Sequence, residues 1–298
     1  MHTTALIGLG TITRHYVAGL EASAQFTLVA TADINENAPS RVHYASLPFY
    51  TDYKQLLRTH SPELAIISTP PETHYEIALY CLEHGVGVLV EKPAVLKLDE
   101  LDSLQKAADE RGLIFSTMFH WQGGIEVTEL SGQYDLSDIR RLDVRILDPY
   151  CDDGEHIRED KVALRGAWID SGVNALSMIS CWLPLERATI KRCDCIRDKY
   201  NQLPIHAKAE LTIDECRVCI EIDWTKHRDH KQSTIETKDR IIRIDHSAQS
   251  IDDGSVKTSC ARTERLDEHY IAVFDSIKDN GAESRTIHKL LMEVDQRL

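Results

Sequence analysis

Five short apolar runs in the first 120 residues, at 3–8, 26–32, 64–68, 86–90 and 113–118, limit what this chain can fold into more than any other feature. They are rich in Val, Ile, Leu and Ala and read as strands buried on both faces. Helical stretches separate them, at about 14–22, 51–59, 75–84 and 98–111, the last with Leu98, Leu101, Leu104 and Ala108 as its apolar positions. Strands that alternate with helices predict a parallel, doubly wound sheet, because parallel neighbours need a crossover between them.

Open sheets of this kind hold ligands at the carboxyl ends of their strands, so the residues just past each run carry the functional reading. The first run turns through Gly8-Leu9-Gly10-Thr11-Ile12-Thr13 into a helix. Strand, Gly-x-Gly and helix in that order form the context of a dinucleotide fingerprint. Gly8 makes the tight turn, Gly10 lets the backbone approach a pyrophosphate, and the helix N-terminus meets its charge. Thr13 stands where the fingerprint has its third glycine. The second run ends at Asp33, 23 positions beyond Gly10. A carboxylate there accepts both adenosine ribose hydroxyls and repels a 2′-phosphate, which favours NAD over NADP, although Asn35, Ser40 and Arg41 could accommodate a phosphate. The competing role for Asp33 is a turn or helix N-cap. The third run stops at Thr69-Pro70-Pro71-Glu72-Thr73-His74, a rigid platform before a helix. The fourth ends in Glu91-Lys92-Pro93, which delivers an ammonium at a strand end; the alternative is a pair of polar residues where a strand leaves the core. His120 emerges past the fifth, where a structural role competes with a functional one.

From about residue 137 the pattern changes. Residues 139–147 read as a strand closing on Asp148-Pro149, followed by a charged loop through 161 that is a connection or a lid. Gly166 to Ser177 leads into a helix on which Asp170 and Asn174, four apart, can present to one pocket. Strands follow at 188–196, 205–213, 216–223, 233–238 and 241–244, then helices at about 264–279 and 284–297. Strands in direct succession favour antiparallel pairing. The expected fold class is therefore α/β: a Rossmann domain with a doubly wound parallel sheet over 1–120, then an α+β domain with a largely antiparallel open sheet over 121–298. The C-terminal helices are free to pack back on the first domain.

A net charge of −14 argues against nucleic acid or an anionic membrane as partner, and no apolar run approaches transmembrane length. Met1-His2-Thr3-Thr4 lacks the basic flank of a signal peptide, and eight cysteines in a chain of this length read as reduced thiols, so a cytoplasmic protein is expected. Cys193-x-Cys195 and Cys216-x-x-Cys219 raise the question of zinc. Cys216 and Cys219 fall in a strand-like run, however, where residues three apart face opposite ways, and no metal site is expected. An open sheet with helices on one face leaves the other to be covered, which points to a homodimer or homotetramer.

Taken together, Gly8-x-Gly10, Asp33, Thr69-Pro70-Pro71-x-x-His74 and Glu91-Lys92-Pro93 resemble the motifs of the Gfo/Idh/MocA oxidoreductases. The resemblance implies a Rossmann domain followed by a largely antiparallel sheet, and hydride transfer between NAD, with NADP the alternative, and a sugar or cyclitol carbon. Cofactor contacts are implied at Gly8, Gly10, Thr11, Ile12, Asp33, Thr69, Pro70, His74 and Glu91. Asp170-Ser171-Gly172-Val173-Asn174 is similar to the family's second signature, with Asn174 where most members have histidine. That substitution, with Asp223-Trp224 and Arg265-Leu266-Asp267-x-x-His269-Tyr270, resembles the D-galactose and L-arabinose 1-dehydrogenase subgroup. Three departures stand against it: the Trp-His-Pro-Gly segment is missing after Asp148, Thr225 replaces a common arginine, and the loop 151–163 is unusually charged.

Oxidising a hemiacetal to a lactone needs a base for the hydroxyl proton and groups that hold the oxygen, while the cofactor takes the hydride. Lys92 or Asp170 is expected to handle the proton, with the other tuning it, and Asn174 to orient the anomeric hydroxyl. His120, Asp148 and Trp224 are the candidate sugar-binding residues, with core packing for Trp224 and a turn for Asp148 as competing roles. Two other functions fit the same residues: a keto-sugar or imine reductase, and a non-catalytic dinucleotide-binding regulator.

Overall fold

The computed structural model describes residues 1–261, 264–277 and 279–298. The chain forms two compact units, one of Met1–His120 with Leu266–Arg285, the other of Trp121–Arg265 with Thr286–Leu298.

The first unit is a six-stranded, all-parallel sheet. Its strands are β1 (His2–Ile7), β2 (Phe26–Ala32), β3 (Phe49–Tyr50), β4 (Leu64–Ile67), β5 (Gly87–Glu91) and β6 (Phe115–Met118), in the order β3-β2-β1-β4-β5-β6. The order reverses between β1 and β4, which opens a crevice outside the carboxyl ends of those strands. Its helices are α1 (Tyr16–Ala22), α2 (Tyr53–His60), α3 (Pro71–Glu83), α4 (Leu98–Asp109) and, from the far end of the chain, α7 (Arg265–Asp275). Alternation along the strands decides which face each residue serves. Ala5, Ile7, Ala65, Ile67, Val88 and Val90 pack with Leu56, Ile77, Cys81 and Leu104 of α2, α3 and α4. Leu6, Leu64, Ile66 and Leu89 pack on the other face with Tyr16 of α1 and with Tyr270 and Phe274 of α7. Both faces are covered, which is why the strands are continuous apolar runs.

Two helix starts differ from the sequence expectation. Thr11–His15 winds as a 3-10 turn before α1, and α3 begins at Pro71 rather than beyond it. Proline suits the first helical turn, where its missing N–H would have had no intrahelical acceptor. The predicted last-but-one helix ends at Asp275, and its residue 278 lies outside the described residues.

The second unit is built on an eight-stranded sheet of order β10-β11-β12-β7-β13-β14-β15-β16. Its strands are β7 (Arg141–Leu147), β10 (Ala188–Arg197), β11 (Pro204–Ile213), β12 (Cys216–Asp223), β13 (His230–Glu236), β14 (Ile241–Asp245), β15 (Ser250–Asp252) and β16 (Lys257–Ser259). Every pairing is antiparallel except β7 with β12. The helices of this part are α5 (Ile125–Gln133), α6 (Val173–Ile179) and α8 (Gly281–Asp295). The charged loop after β7 contains a small hairpin, β8 (Cys151–Asp152) and β9 (His156–Ile157). Its three-residue turn, Asp153 to Glu155, has positive φ at both Asp153 and Gly154. On β11 and β12 the buried residues alternate with partly exposed His206, Lys208, Glu210, Cys219 and Glu221. Ion pairs such as Arg145–Glu221 (3.2 Å) and Arg141–Asp143 (2.8 Å) occupy the second face, so it is polar.

One carboxylate ties the first unit together. Glu91, at the end of β5, accepts hydrogen bonds from the hydroxyls of Tyr16 (2.6 Å) and Tyr270 (2.5 Å), both fully buried. Glu91→Ala would leave two buried phenols without an acceptor and is expected to cost about 3 kcal/mol. Tyr270→Phe, which removes one of the two bonds, should cost about 1 kcal/mol. Denaturant unfolding of the two variants checks the ranking.

Candidate functional site

The residues after β1 and β2 form one loop system. Gly8 has φ +93° and lies so close to the end of β4 that a Cβ would sit 2.7 Å from Ser68 C. Gly10 is the opposite case: extended, with nothing within 4 Å of where a Cβ would be. The loop between them is held from several sides. Leu9 N–H donates to Asp33 Oδ2 (2.7 Å), and Thr13 and Ser40 hydroxyls donate to the Gly10 carbonyl at 2.8 and 2.6 Å. Thr13, in the third-glycine position, is thus a buried cap on the loop. Asp33 is only partly buried and takes a second N–H from Asn35 (2.8 Å). Arg41 lies over the Phe49 ring, 3.9 Å from its centroid. Thr11 is exposed and Ile12 partly so. An open glycine Cα beside a fixed carboxylate at a strand end is the donor and acceptor set that a dinucleotide's pyrophosphate and ribose need.

Past β4 and β5 the chain is held by His74. Its ring is buried, with Nε2 2.6 Å from the Thr69 carbonyl and Nδ1 2.9 Å from that of Pro93. Burial pushes its pKa down, against the opposing pull of the two carbonyls and of Glu91 and Glu72. A neutral imidazole carries one N–H, so the ring donates to one carbonyl at a time. Thr73 adds a bond to Pro70 O (2.8 Å). The Lys92–Pro93 peptide is cis. Of the ten residues from Val86 to Val95, nine are buried and Lys92 alone is partly exposed.

The same pattern appears in the second unit. Among residues 166–179 every side chain is buried except Asp170 and Asn174. Trp168–Gly172 winds as a π-helical turn that runs into α6. The expectation of a plain α-helix from Asp170 to Asn174 is therefore corrected, yet four residues complete roughly one turn in either winding, so both still project to one side. Ser171, between them, donates to Asp148 Oδ2 (3.1 Å), lies 3.4 Å from Asp170 Oδ2, and receives the Trp224 indole N–H (3.3 Å). Asp148 also binds Lys231 Nζ at 2.7 Å, and Lys231 reaches Asp229 at 2.5 Å. Burial pushes the Asp148 pKa up, Lys231 draws it back, and Asp170 adds to the rise. Tyr150 packs edge-on to Trp224, and burial with the charges of Asp148, Asp170 and Asp229 raises its phenol pKa.

Several expected site residues take other places. Glu91 has Oε1 committed to two tyrosines and Oε2 to the Lys92 N–H (3.1 Å), so it anchors the strand end rather than meeting a cofactor. His74 likewise shapes the platform from inside. His120 is buried, with Nδ1 3.2 Å from His269 Nδ1 and its ring stacked on Tyr270. Trp224 is fully buried and its single donor is spent on Ser171, so it offers a sugar neither face nor N–H. Asp148 is a buried ion-pair partner of Lys231. Sequence reasoning missed Lys231, although a lysine two residues before Ser233 and four before Ile235 sits on the inward face of an alternating strand. It also missed Glu126, His246 and Ser233, linked at 2.8 Å each and all buried.

Residues 3–119 match the sequence profile of the Gfo/Idh/MocA oxidoreductase family, described as an NAD-binding Rossmann fold. These residues are thus an NAD(P)-binding Rossmann domain. Over 85 residues the chain is 33% identical to the scyllo-inositol 2-dehydrogenase (NADP(+)) IolW of Bacillus subtilis, a match covering 28% of this chain and 24% of that protein. The chain thus spans about a quarter of that relative's length. Two solved structures share the fold along nearly the full length. One is the UDP-N-acetylglucosamine 3-dehydrogenase GnnA from Acidithiobacillus ferrooxidans, with TM-score 0.79, 19% identity and coverage of 100% of this chain and 97% of that one. The other is KijD10, a 3-ketoreductase from Actinomadura kijaniata in complex with TDP-benzene and NADP, with TM-score 0.82, 16% identity and coverage of 99% and 97%.

The two glycines should separate folding from binding. Gly8→Ala, which meets both a positive φ and a backbone clash, is expected to lose about 2–3 kcal/mol of stability. Gly10→Ala should unfold as the wild type does and bind NAD at least about tenfold more weakly, because a methyl intrudes only on the ligand. Thermal unfolding and calorimetric titration with NAD read the two effects apart.

Proposed function

We propose that the whole chain is a Gfo/Idh/MocA oxidoreductase that moves a hydride between nicotinamide and a sugar or polyol carbon. The observation that carries this reading is the burial pattern. Lys92 alone surfaces from the end of β5, and Asp170 and Asn174 alone surface from the turn of α6, each from a run that is otherwise closed. Groups held this rigidly at a surface suit proton transfer, where geometry comes before basicity. The bound nicotinamide supplies the hydride chemistry. Lys92 and Asp170 are the two candidates to hold and move the hydroxyl proton. Asn174 has no titrating proton and orients the substrate oxygen. Asp33 binds the adenosine ribose and, as a fixed negative charge, favours NAD over NADP.

The substrate class follows from charge. Near the buried Asp148–Lys231 pair, Asp170 and Asp229 present two carboxylates that reach solvent. Such a surface favours an uncharged or aminated polyol over a phosphorylated one. Within that class the preferred reaction is oxidation of an aldose at its anomeric carbon to a lactone. The second reading, reduction of a keto-sugar, takes its support from the fold shared with a 3-ketoreductase and uses the same residues in reverse.

A panel of aldoses, cyclitols and amino-polyols with NAD, and of keto-sugars with NADH, followed at the NADH absorbance, tests the reading. Turnover is expected with NAD on at least one aldose or polyol, and Lys92→Ala and Asp170→Asn should each lower kcat by about 100-fold or more while leaving NAD affinity within a few-fold. Saturable NAD binding without turnover of any compound would make the protein a dinucleotide-binding regulator instead.

A further inference from the structure

Lys231 has no role in the reaction as described so far, and its surroundings give it one. It lies on β13 with its side chain 7% exposed, an unusual place for an ammonium. It reaches Asp148 Oδ1 at 2.7 Å, and the other oxygen of Asp148 accepts from Ser171, whose Oγ is 3.4 Å from Asp170 Oδ2. Ser171 has one hydrogen and already receives the Trp224 N–H, so it can donate to one of the two carboxylates and not to both. Two like charges therefore meet at one hydroxyl, and Lys231 is a buried positive charge against them.

We propose that Lys231 is a positioning residue for the reaction: it holds Asp148, the carboxylate nearer to Ser171, in place and offsets one of the two negative charges that Ser171 brings together. This rests on the reading of Asp170 as a proton-handling group. Other groups near the cluster include Tyr150, Asp229, Arg158 and Lys161. Asp229 is mostly exposed and shares Lys231, while Arg158 and Lys161 lie over the Tyr150 ring at 5.9 and 5.1 Å from its centroid. Tyr150, with its phenol pKa raised, stays protonated and adds a donor but no charge.

The sign of each substitution follows. Lys231→Met removes the offsetting charge, so the Asp148–Asp170 pair keeps its proton to higher pH, and the acid limb of the kcat/KM profile should move up by about one pH unit or more. Asp148→Asn removes the like charge and leaves the ammonium, so the limb should move down by a similar amount. Lys231→Arg keeps the charge and should leave the limb in place. A merely structural role would lower activity evenly across pH without moving it, and that result overturns the proposal. Lys231→Met and Asp148→Asn, labelled with 13C at the aspartate carboxyls and titrated by NMR, should show the Asp170 signal moving in these same directions, and Lys231→Arg should leave it in place; an Asp170 signal that moves in neither of the first two overturns the proposal as well. The NMR arm needs no substrate, so failure of every compound to turn over would sink the dehydrogenase reading while leaving this inference decided on its own. If Lys231→Met does not fold, Asp148→Asn retains the Lys231–Asp229 pair and carries the test alone.

Discussion

The first unit depends on a carboxylate that the solvent barely reaches. Glu91 draws together the end of a central strand, a helix from the start of the chain and a helix from near its end, through two tyrosine hydroxyls and one backbone N–H. A buried acid is tolerated only when hydrogen bonds replace its water, and here three donors do so. The consequence for the site is positional. Because Glu91 turns inward and is held, the next residue turns outward, and Lys92 leaves the core at a fixed place.

The second unit repeats the device with different chemistry. Asp148 and Lys231 neutralise each other in the interior, and Ser171, the neighbour of Asp170 in the chain, donates to that fixed point. In both units the residue proposed to meet a ligand is partly exposed, and a buried charged group lies one residue or one hydroxyl away. Breaking a buried pair is costly because it leaves a lone charge behind, so such anchors are rigid. The polar face of the large sheet contrasts with this. Its exposed ion pairs contribute little to stability, each on the order of 0–1 kcal/mol.

What could be read from sequence was what burial writes into it. Central strands such as Leu64–Ile67 are apolar on both sides, and β12 alternates, so both stand out with nearly correct ends. Strand ends located Gly8, Gly10, Asp33 and Lys92, because an α/β sheet turns its carboxyl edge to ligands. The two-residue β3 and the three-residue β15 and β16 are too short to show a period, and α5 mixes β-branched residues with Gly132. A strand end tells where the backbone emerges and not which way the side chain turns. That is why His74, His120 and Trp224, each placed in the site by position, prove to be interior. Lys231 was missed for the converse reason: β13 starts at His230, three residues before the expected start at 233, and the inward-facing lysine fell in what read as a loop.

Tyr270 and Phe274 lie far along the chain from the strands they cover. During synthesis residues 1–120 can lay down a sheet with one face dressed by α2, α3 and α4, while the other face, covered in part by α1, and the second bond to Glu91 wait for α7. The Rossmann unit is therefore finished only after residues 121–265 of the second unit have been made, although most of its own sequence precedes them. A copy of the chain that stopped short of α7 would carry Gly8, Gly10 and Asp33 on a sheet with one apolar face only partly covered. In this architecture the integrity of the site is a check on the length of the chain.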